Sequence, residues 1–193
     1  MSNMHEDARQ TGRDWWRTAI IDMRPGVIRY RGYAIEDLIR QNTSLAQMVW
    51  LLTRGELPSR AQANLLEAAL MAAVDHGPQA PSIAIARMAA TCGVGLNNAM
   101  ASGLNVLGDV HGGAGEQALA LFEQAAERWD AGLPLVDAVQ AALQEQVHQH
   151  GKIIPGFGHR FHPVDPRTGP LLERVDEATA ARTVSGRFAA IGR

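Results

Sequence analysis

Residues 108–130 read GDVHGGAGEQALALFEQAAERWD, and this stretch decides the class of fold. From residue 114 onward it is rich in alanine, leucine, glutamate and glutamine, which favour an α-helix. Its glycine-rich first part interrupts helical structure and marks a junction. The stretch therefore predicts a long helix over 114–130, preceded by a polar loop that holds His111.

Helical signals extend through most of the chain. Capping residues, helical spacing of apolar residues and glycine or proline stops predict further helices over 45–52, 60–76, 82–94, 97–107, 135–150 and from about residue 171 onward. Near the N-terminus, residues 16–33 have two short apolar runs around a Pro25-Gly26 turn, which is typical of a small hairpin or extended arm. The predicted fold class is mainly α with a small N-terminal β-hairpin.

Composition excludes several classes of protein. The chain has 193 residues, of which 46% are hydrophobic and 20% charged, with a net charge of −2. This near-neutral charge argues against a nucleic-acid partner, and no apolar run approaches the ~20 residues that span a bilayer. The N-terminus is too polar for a signal peptide, and the single cysteine, Cys92, is expected inside a buried helix. We expect a cytoplasmic protein without nucleic-acid or membrane partners.

Histidines are the main candidates for chemistry. Four of the seven lie at glycine- or proline-rich junctions, where backbone geometry places a side chain: His76, His111, His159 and His162. No cysteine or histidine spacing matches a zinc site, so no metal is expected.

His111 is the most informative of these, because it precedes Gly112-Gly113 at the start of the long helix. The positive end of the helix dipole disfavours imidazolium there and favours a neutral ring, able to donate a hydrogen bond to a carbonyl that is becoming an enolate. The two glycines would let a substrate approach the backbone. The alternative is a plain helix N-terminal histidine.

A second candidate segment, residues 155–167, reads PGFGHRFHPVDPR. His159 and Arg167 together fit an oxo-acid substrate, because a histidine polarises a carbonyl and an arginine fork binds a carboxylate. The alternative is a surface loop in which Arg167 pairs with Asp165 or Glu173. The glycines are too few, and follow a helix instead of a strand, so a dinucleotide-binding reading fails.

Five segments taken together resemble the citrate synthase family, and in particular its short citryl-CoA lyase-type members. They occur in the family order over residues 25–175, and they are RYRGYAIEDL (29–38), GELP (55–58), DH (75–76), GDVHGGAGE (108–116) and PGFGHRFHPVDPR (155–167). The resemblance implies a citrate synthase-like multi-helical fold. It also implies a reversible carbon–carbon bond step between acetyl-CoA and oxaloacetate, with citryl-CoA or citrate on the other side.

The resemblance also implies roles for individual residues. His111 would hold the enol of the thioester and His159 would polarise the oxaloacetate ketone. Oxaloacetate oxygens would be bound by His76 and Arg167. The expected CoA contacts are Gly156, Phe157, Gly158 and Arg160. CoA thioesters, acetyl-CoA or citryl-CoA, would be substrates, and no permanently bound cofactor is expected.

Family members are dimers through paired helices, so a homodimer is expected. The small residues Ala99, Ser102 and Gly103 allow close helix packing, which indicates either a buried core helix or a subunit interface. The expected organisation is a flexible tail over 1–14, the first part of a large helical domain over 15–112, and a segment over 113–193. This last segment contains the substrate loop 151–170 and leads into an incomplete small domain.

One departure from the family pattern bears on activity. The family's general base is an aspartate well downstream of the His159 motif, and neither Asp165 nor Asp176 matches its context. Losing a general base removes a contribution of roughly 10²–10⁴ to the rate. The ending VSGRFAAIGR reads as a helix that is cut midway. We therefore expect a truncated chain with impaired activity, and the alternative is a non-catalytic homologue that binds CoA or a partner subunit.

Overall fold

The computed structural model of the chain describes residues 14–74, 77–158 and 162–193. Over these ranges the protein is mainly helical with one small antiparallel sheet, which confirms the predicted fold class. The strands are β1 (Ile21–Arg24), β2 (Val27–Tyr30) and β3 (Tyr33–Ala34). The helices are α1 (Ile35–Arg40), α2 (Leu45–Arg54), α3 (Arg60–Ala72), α4 (Pro81–Thr91), α5 (Leu96–Leu104), α6 (Ala114–Asp130), α7 (Leu135–His150), α8 (Thr168–Ala180) and α9 (Arg187–Gly192).

Packing within the chain divides it into two compact units, Met1–Glu67 and Ala68–Arg193. The expected boundary near residue 112 stays a prediction. No helix of the described ranges is long and apolar enough to cross a membrane.

The first unit holds the sheet and the first helices. In the sheet, β1 and β2 pair around the Pro25-Gly26 turn with Arg24 opposite Val27, as the sequence predicts, and the short β3 adds a third strand. The guanidinium of Arg31 donates two hydrogen bonds to the carbonyl of Leu52, at 3.2 and 2.8 Å, and so ties the sheet to the end of α2.

Helix α2 begins after the predicted Ser44 cap and runs two residues past its predicted end at Leu52, to Arg54. Ser44 and Gln47 form a capping box, and Gly55 ends the helix in the left-handed conformation with φ of 93°. The same helix buries Leu51 completely.

Helix α3 is shorter than predicted. Ser59 and Gln62 exchange the capping hydrogen bonds expected at its start, but the helix ends at Ala72, before the predicted end at residue 76. The amides of Ala73 and Val74 bond to carbonyls three residues earlier, at 3.1 and 3.3 Å, so the last turn tightens and the helix stops.

The core of the second unit lies between α6 and α7, whose bounds match the prediction. Its buried members are mostly alanines, which let the helix backbones approach closely, together with two larger side chains: Leu121, Ala125, Ala126, Ala142 and Ile191. Cys92 differs from expectation, since it lies at the exposed end of α4.

The end of the chain is two helices where the sequence predicts one. After α8 the backbone turns through Arg182, with φ of 57°, and Gly186, with φ of 70°. A Cβ on Gly186 would lie 2.6 Å from Oγ1 of Thr179, so the turn requires glycine. Helix α9 then returns to α6, where Ile191 enters the core.

An ion pair holds α9 on α6. The guanidinium of Arg187 donates to Oδ2 of Asp130 at 2.6 Å and to the carbonyl of Ala126 at 2.7 Å. It also lies over the ring of Trp129, 5.3 Å from the centroid. The hydrogen bond and charge of Arg187 lower the pKa of the Asp130 carboxyl below its ordinary value of 3.8.

Because the folded-state pKa of Asp130 is lowered, the pair stabilises the fold above pH 3.8 and loses this contribution as the pH falls through the folded value. Asp130→Asn should therefore lower the free energy of unfolding at neutral pH and have little effect in stronger acid. Urea unfolding of both proteins at neutral pH and in stronger acid measures this difference in the free energy of unfolding. Glu127→Gln removes one carboxylate from the same helix and should not show this pattern; a deficit that persists in acid would contradict the assignment.

Candidate functional site

His111 lies in a closed loop between α5 and α6. The amide of Gly108 donates to the carbonyl of His111 at 2.9 Å, and the amide of Gly113 donates to the carbonyl of Gly108 at 2.9 Å. The side-chain amide of Gln117, in the first turns of α6, donates to the carbonyl of Asp109 at 3.2 Å. These bonds fix the backbone from which the His111 ring projects.

The loop itself requires the two glycines that follow His111. Gly112 has φ of 117°, a conformation that other residues rarely adopt. A Cβ on Gly113 would lie 2.7 Å from Cα and 2.8 Å from O of Asp109, both backbone atoms. The sequence suggested substrate approach as the reason for these glycines, and the structure adds a local one, which is closure of the loop.

The His111 ring is held through its Nε2 atom. The backbone amide of Ser82 donates to Nε2 at 3.1 Å, and Oγ of Ser82 lies 2.9 Å from the same atom. A backbone N–H only donates, so Nε2 acts as the acceptor and a neutral ring carries its proton on Nδ1. The contact thus selects one tautomer and leaves the Nδ1–H to serve as a donor.

Helix α4 provides this contact. Pro81, the first residue of α4, has no N–H, so Ser82 carries the first amide hydrogen of the helix. Such first-turn amides lack partners within the helix and lie at its positive end. The positive helix end that contacts the His111 ring is that of α4. The dipole of α6, to which the sequence pointed, stays a prediction.

The second predicted segment lies against the beginning of α6. Gly156 has φ of 80°, and a Cβ there would lie 2.8 Å from Cβ of Ala118 and 3.6 Å from O of Ala114. The turn is closed by a hydrogen bond from the amide of Phe157 to the carbonyl of Ile154 at 3.2 Å. The loop of His111 and the turn at 155–158 therefore meet the same end of α6.

Phe157 joins this turn to the core of the second unit. Its half-exposed ring meets the ring of Phe122 edge-on, with centroids 6.0 Å apart, and Phe122 in turn stacks on Phe188. Both Phe157 and Phe122 line an apolar cavity of about 330 Å³ between α6, α7 and α9. The side chain of Phe157 thus packs on Phe122 on one side and is exposed on the other.

Arg167 has partners within the chain. It donates to Asp165 through Nε at 2.9 Å and Nη2 at 2.6 Å, and through Nη1 to the carbonyl of Ala72 at 3.0 Å. The Asp165 pairing raises the pKa of Arg167 above its ordinary value. This is the Asp165 pair anticipated as the alternative, and it ties residues 165–167 to the end of α3. Oxaloacetate binding by Arg167 stays a prediction.

Three predicted site residues, His76, His159 and Arg160, lie outside the described residues. Of the others, His111, Gly156, Phe157 and Gly158 lie in the loops that lead into and pack on α6. Ser82, which contacts the ring of His111, is the residue of the candidate site that the sequence analysis missed. The sequence signal for Ser82 is weak, because it is only a serine that follows a proline at the start of a helix. It also lies 29 residues from the histidine that it contacts. Within the described ranges, no group of three or more metal-ligating side chains comes together.

The fold and site define a class: a multi-helical protein whose candidate site is built from loops at the beginning of one long helix. The family model for the C-terminal domain of citrate synthase matches residues 8–69 and 59–190. The chain belongs to the citrate synthase family.

Individual relatives agree with this assignment. The citryl-CoA lyase of Hydrogenobacter thermophilus superposes with a TM-score of 0.70 and 30% identity, over 91% of this chain and 75% of that one. An ATP citrate lyase of Methanosaeta concilii in complex with (3S)-citryl-CoA gives a TM-score of 0.74 and 25% identity, over 84% of this chain and 26% of that one. The ATP-citrate synthase of Bos taurus is 28% identical over 148 residues, 77% of this chain. The matched region is 13% of that relative's length.

Two glycine-to-alanine variants separate the glycine that the loop requires from a neighbour that it does not. Gly113→Ala places a methyl group against the Asp109 backbone and should lower the free energy of unfolding by about 1–3 kcal/mol. Gly115→Ala, two residues later in α6, meets open space and should raise it by about 0.5–1 kcal/mol. Chemical denaturation measures both, and equal effects from the two variants would contradict this account of the loop.

Proposed function

We propose that this chain supplies the acyl-CoA and oxaloacetate site of a citryl-CoA-forming or -cleaving enzyme. The observation that carries the proposal is the Ser82 amide bound to Nε2 of His111, because it leaves a single donor, Nδ1–H, on the ring. A neutral imidazole with one oriented donor suits a thioester oxygen that gains negative charge during reaction. A solved relative in complex with (3S)-citryl-CoA supports the choice of substrate.

In the cleavage direction, the bond between the thioester CH₂ and the hydroxyl-bearing carbon of citryl-CoA breaks. Its electron pair stays with the CH₂ and forms the enolate of acetyl-CoA, which then takes up a proton. The hydroxyl group loses its proton and becomes the ketone of oxaloacetate. His111 stabilises the enolate oxygen in this step and in the reverse condensation, since both directions share one transition state.

The remaining roles follow the family resemblance. His159 polarises the ketone, and His76 and Arg167 bind oxaloacetate oxygens. For Arg167 this requires a substrate carboxylate to replace the Asp165 carboxylate. Each carboxylate would accept two hydrogen bonds from the guanidinium. CoA lies along the turn of Gly156, Phe157 and Gly158 and contacts Arg160.

Replacing His111 tests the central role. His111→Ala removes the enolate donor and should lower kcat for citryl-CoA cleavage by about 10²–10³. Release of acetyl-CoA and oxaloacetate measures cleavage, and their consumption measures the reverse condensation. His148→Ala, on the exposed side of α7, is the matched control and should retain the full rate. Equal rates for the His111 variant and the unsubstituted chain would refute the role.

Product analysis separates the reactions that the family supports. A lyase releases acetyl-CoA and oxaloacetate from citryl-CoA, whereas a synthase also hydrolyses the thioester to citrate and free CoA. If the unsubstituted chain catalyses neither of these reactions of citryl-CoA, the enzymatic proposal fails for this chain. Calorimetry with CoA then distinguishes a non-catalytic binding protein, which releases heat of binding, from one that does not recognise CoA.

A homodimer through α4 and α5 is part of the proposal. The outer faces of these helices expose large apolar side chains around a groove of about 480 Å³, among them Leu96, Met100 and Leu104 at 77%, 58% and 63% exposure. Such a contiguous apolar surface is typical of a subunit interface. The small residues Ala99 and Gly103 lie buried at the floor of this groove, where Gly103 packs against α4 of the same chain.

Met100→Glu places a charge in this groove and should shift the protein from dimer to monomer in sedimentation. Val136→Glu is the control, because Val136 is 64% exposed on α7 and lies outside the groove. A dimer that survives Met100→Glu, or an unsubstituted chain that sediments as a monomer, would contradict the proposed interface.

A further inference from the structure

Helices α4 and α5 cross at Gly103, without room for a side chain. A Cβ on Gly103 would lie 2.9 Å from the carbonyl oxygen of Ser82 and 3.2 Å from Cβ of Ala86. The first of these is a backbone atom of a helix, so no side-chain rotation relieves the contact. Gly103 is itself buried, as is Ala99 one turn earlier.

Ser82 therefore has two neighbours that constrain it. Its carbonyl oxygen faces Gly103, and its amide and hydroxyl face Nε2 of His111. The loop that carries His111 begins directly after α5 ends at Leu104. Helix α5 thus leads into the loop that carries His111. Through Gly103, the same helix sets how closely α4 can bring the Ser82 amide to the His111 ring.

We infer that Gly103 is a positioning residue for His111: the missing Cβ lets α4 approach closely enough for Ser82 to bind Nε2 and select the Nδ1–H tautomer. The expected effect of Gly103 on catalysis rests on the proposed function. Its expected effect on the tautomer of His111 does not. Gly103 touches no reacting atom and acts through Ser82.

Distances show why one methyl group matters. Relieving a 2.9 Å contact to an ordinary 3.4 Å requires Ser82 to move by about 0.5 Å. The amide lies 3.1 Å from Nε2, so a movement of this size directed away from the ring takes it to about 3.6 Å, beyond hydrogen-bonding range. The ring then loses its tautomer preference while the helices remain packed.

Nitrogen-15 NMR of the imidazole rings tests this without any need for turnover. At about pH 9, where ordinary imidazoles are neutral, His111 should show one protonated and one unprotonated nitrogen, with the proton on Nδ1. Comparison with His111→Gln identifies its signals. In Gly103→Ala the two nitrogen shifts should move toward each other as both tautomers become populated, and kcat should fall about tenfold with little change in KM.

Ser102→Ala is the matched control, because it alters the neighbouring residue of α5, whose hydroxyl bonds only within that helix in the described contacts, to the carbonyl of Asn98. It should keep the shifts of the unsubstituted chain. If Gly103→Ala does not fold, Ala86→Ser widens the same crossing from the facing helix and should give the same mixing of tautomers.

Folded variants at position 103 or 86 that retain the single Nδ1–H signature would overturn the inference. So would an unsubstituted chain in which Nε2 of His111 carries the proton. A change of tautomer in a chain that never turns over citryl-CoA would leave this inference standing and count against the proposed function instead.

Discussion

The hydrogen bond from the Ser82 amide to Nε2 of His111 is the contact on which the candidate site depends. It turns a side chain with two interchangeable nitrogens into a donor at one known atom. Three features of the local structure support it: Pro81 makes Ser82 the first amide of α4, Gly103 admits that helix end, and Gly113 closes the loop behind the ring. Pro81 acts through its missing N–H, and Gly103 and Gly113 act through their missing Cβ. None of the three has a reactive side chain.

Helix α6 is the element on which the rest of the site is assembled. Its beginning receives the loop of His111 on one side and the turn of Gly156 on another. Its later turns hold the core with α7 and bind α9 through Arg187. Because both loops pack at the beginning of one helix, the position of His111 relative to the proposed CoA turn depends on how each loop packs on α6.

The extent to which the sequence predicts this structure differs from element to element. The bounds of α6 and α7 and the Ser44 cap are correct because these signals are local: alanine-rich composition, a capping residue, a glycine stop. The end of α3 and the turn between α8 and α9 were missed. The end of α3 follows from a tightened last turn. The turn between α8 and α9 depends on distant neighbours, since Gly186 fits against Thr179 and α9 is bound to α6 by the Arg187–Asp130 pair and core burial.

The sequence by itself determined the family and the helical class and made His111 a candidate, because these depend on residue types in order along the chain. Only the tertiary structure decided which atom of His111 is free to act, since that choice belongs to Ser82, 29 residues away on another helix. It likewise decided that Arg167 pairs with Asp165 and the end of α3. Hydrogen bonds between distant segments form only once the helices pack, and no local pattern of residues encodes their geometry.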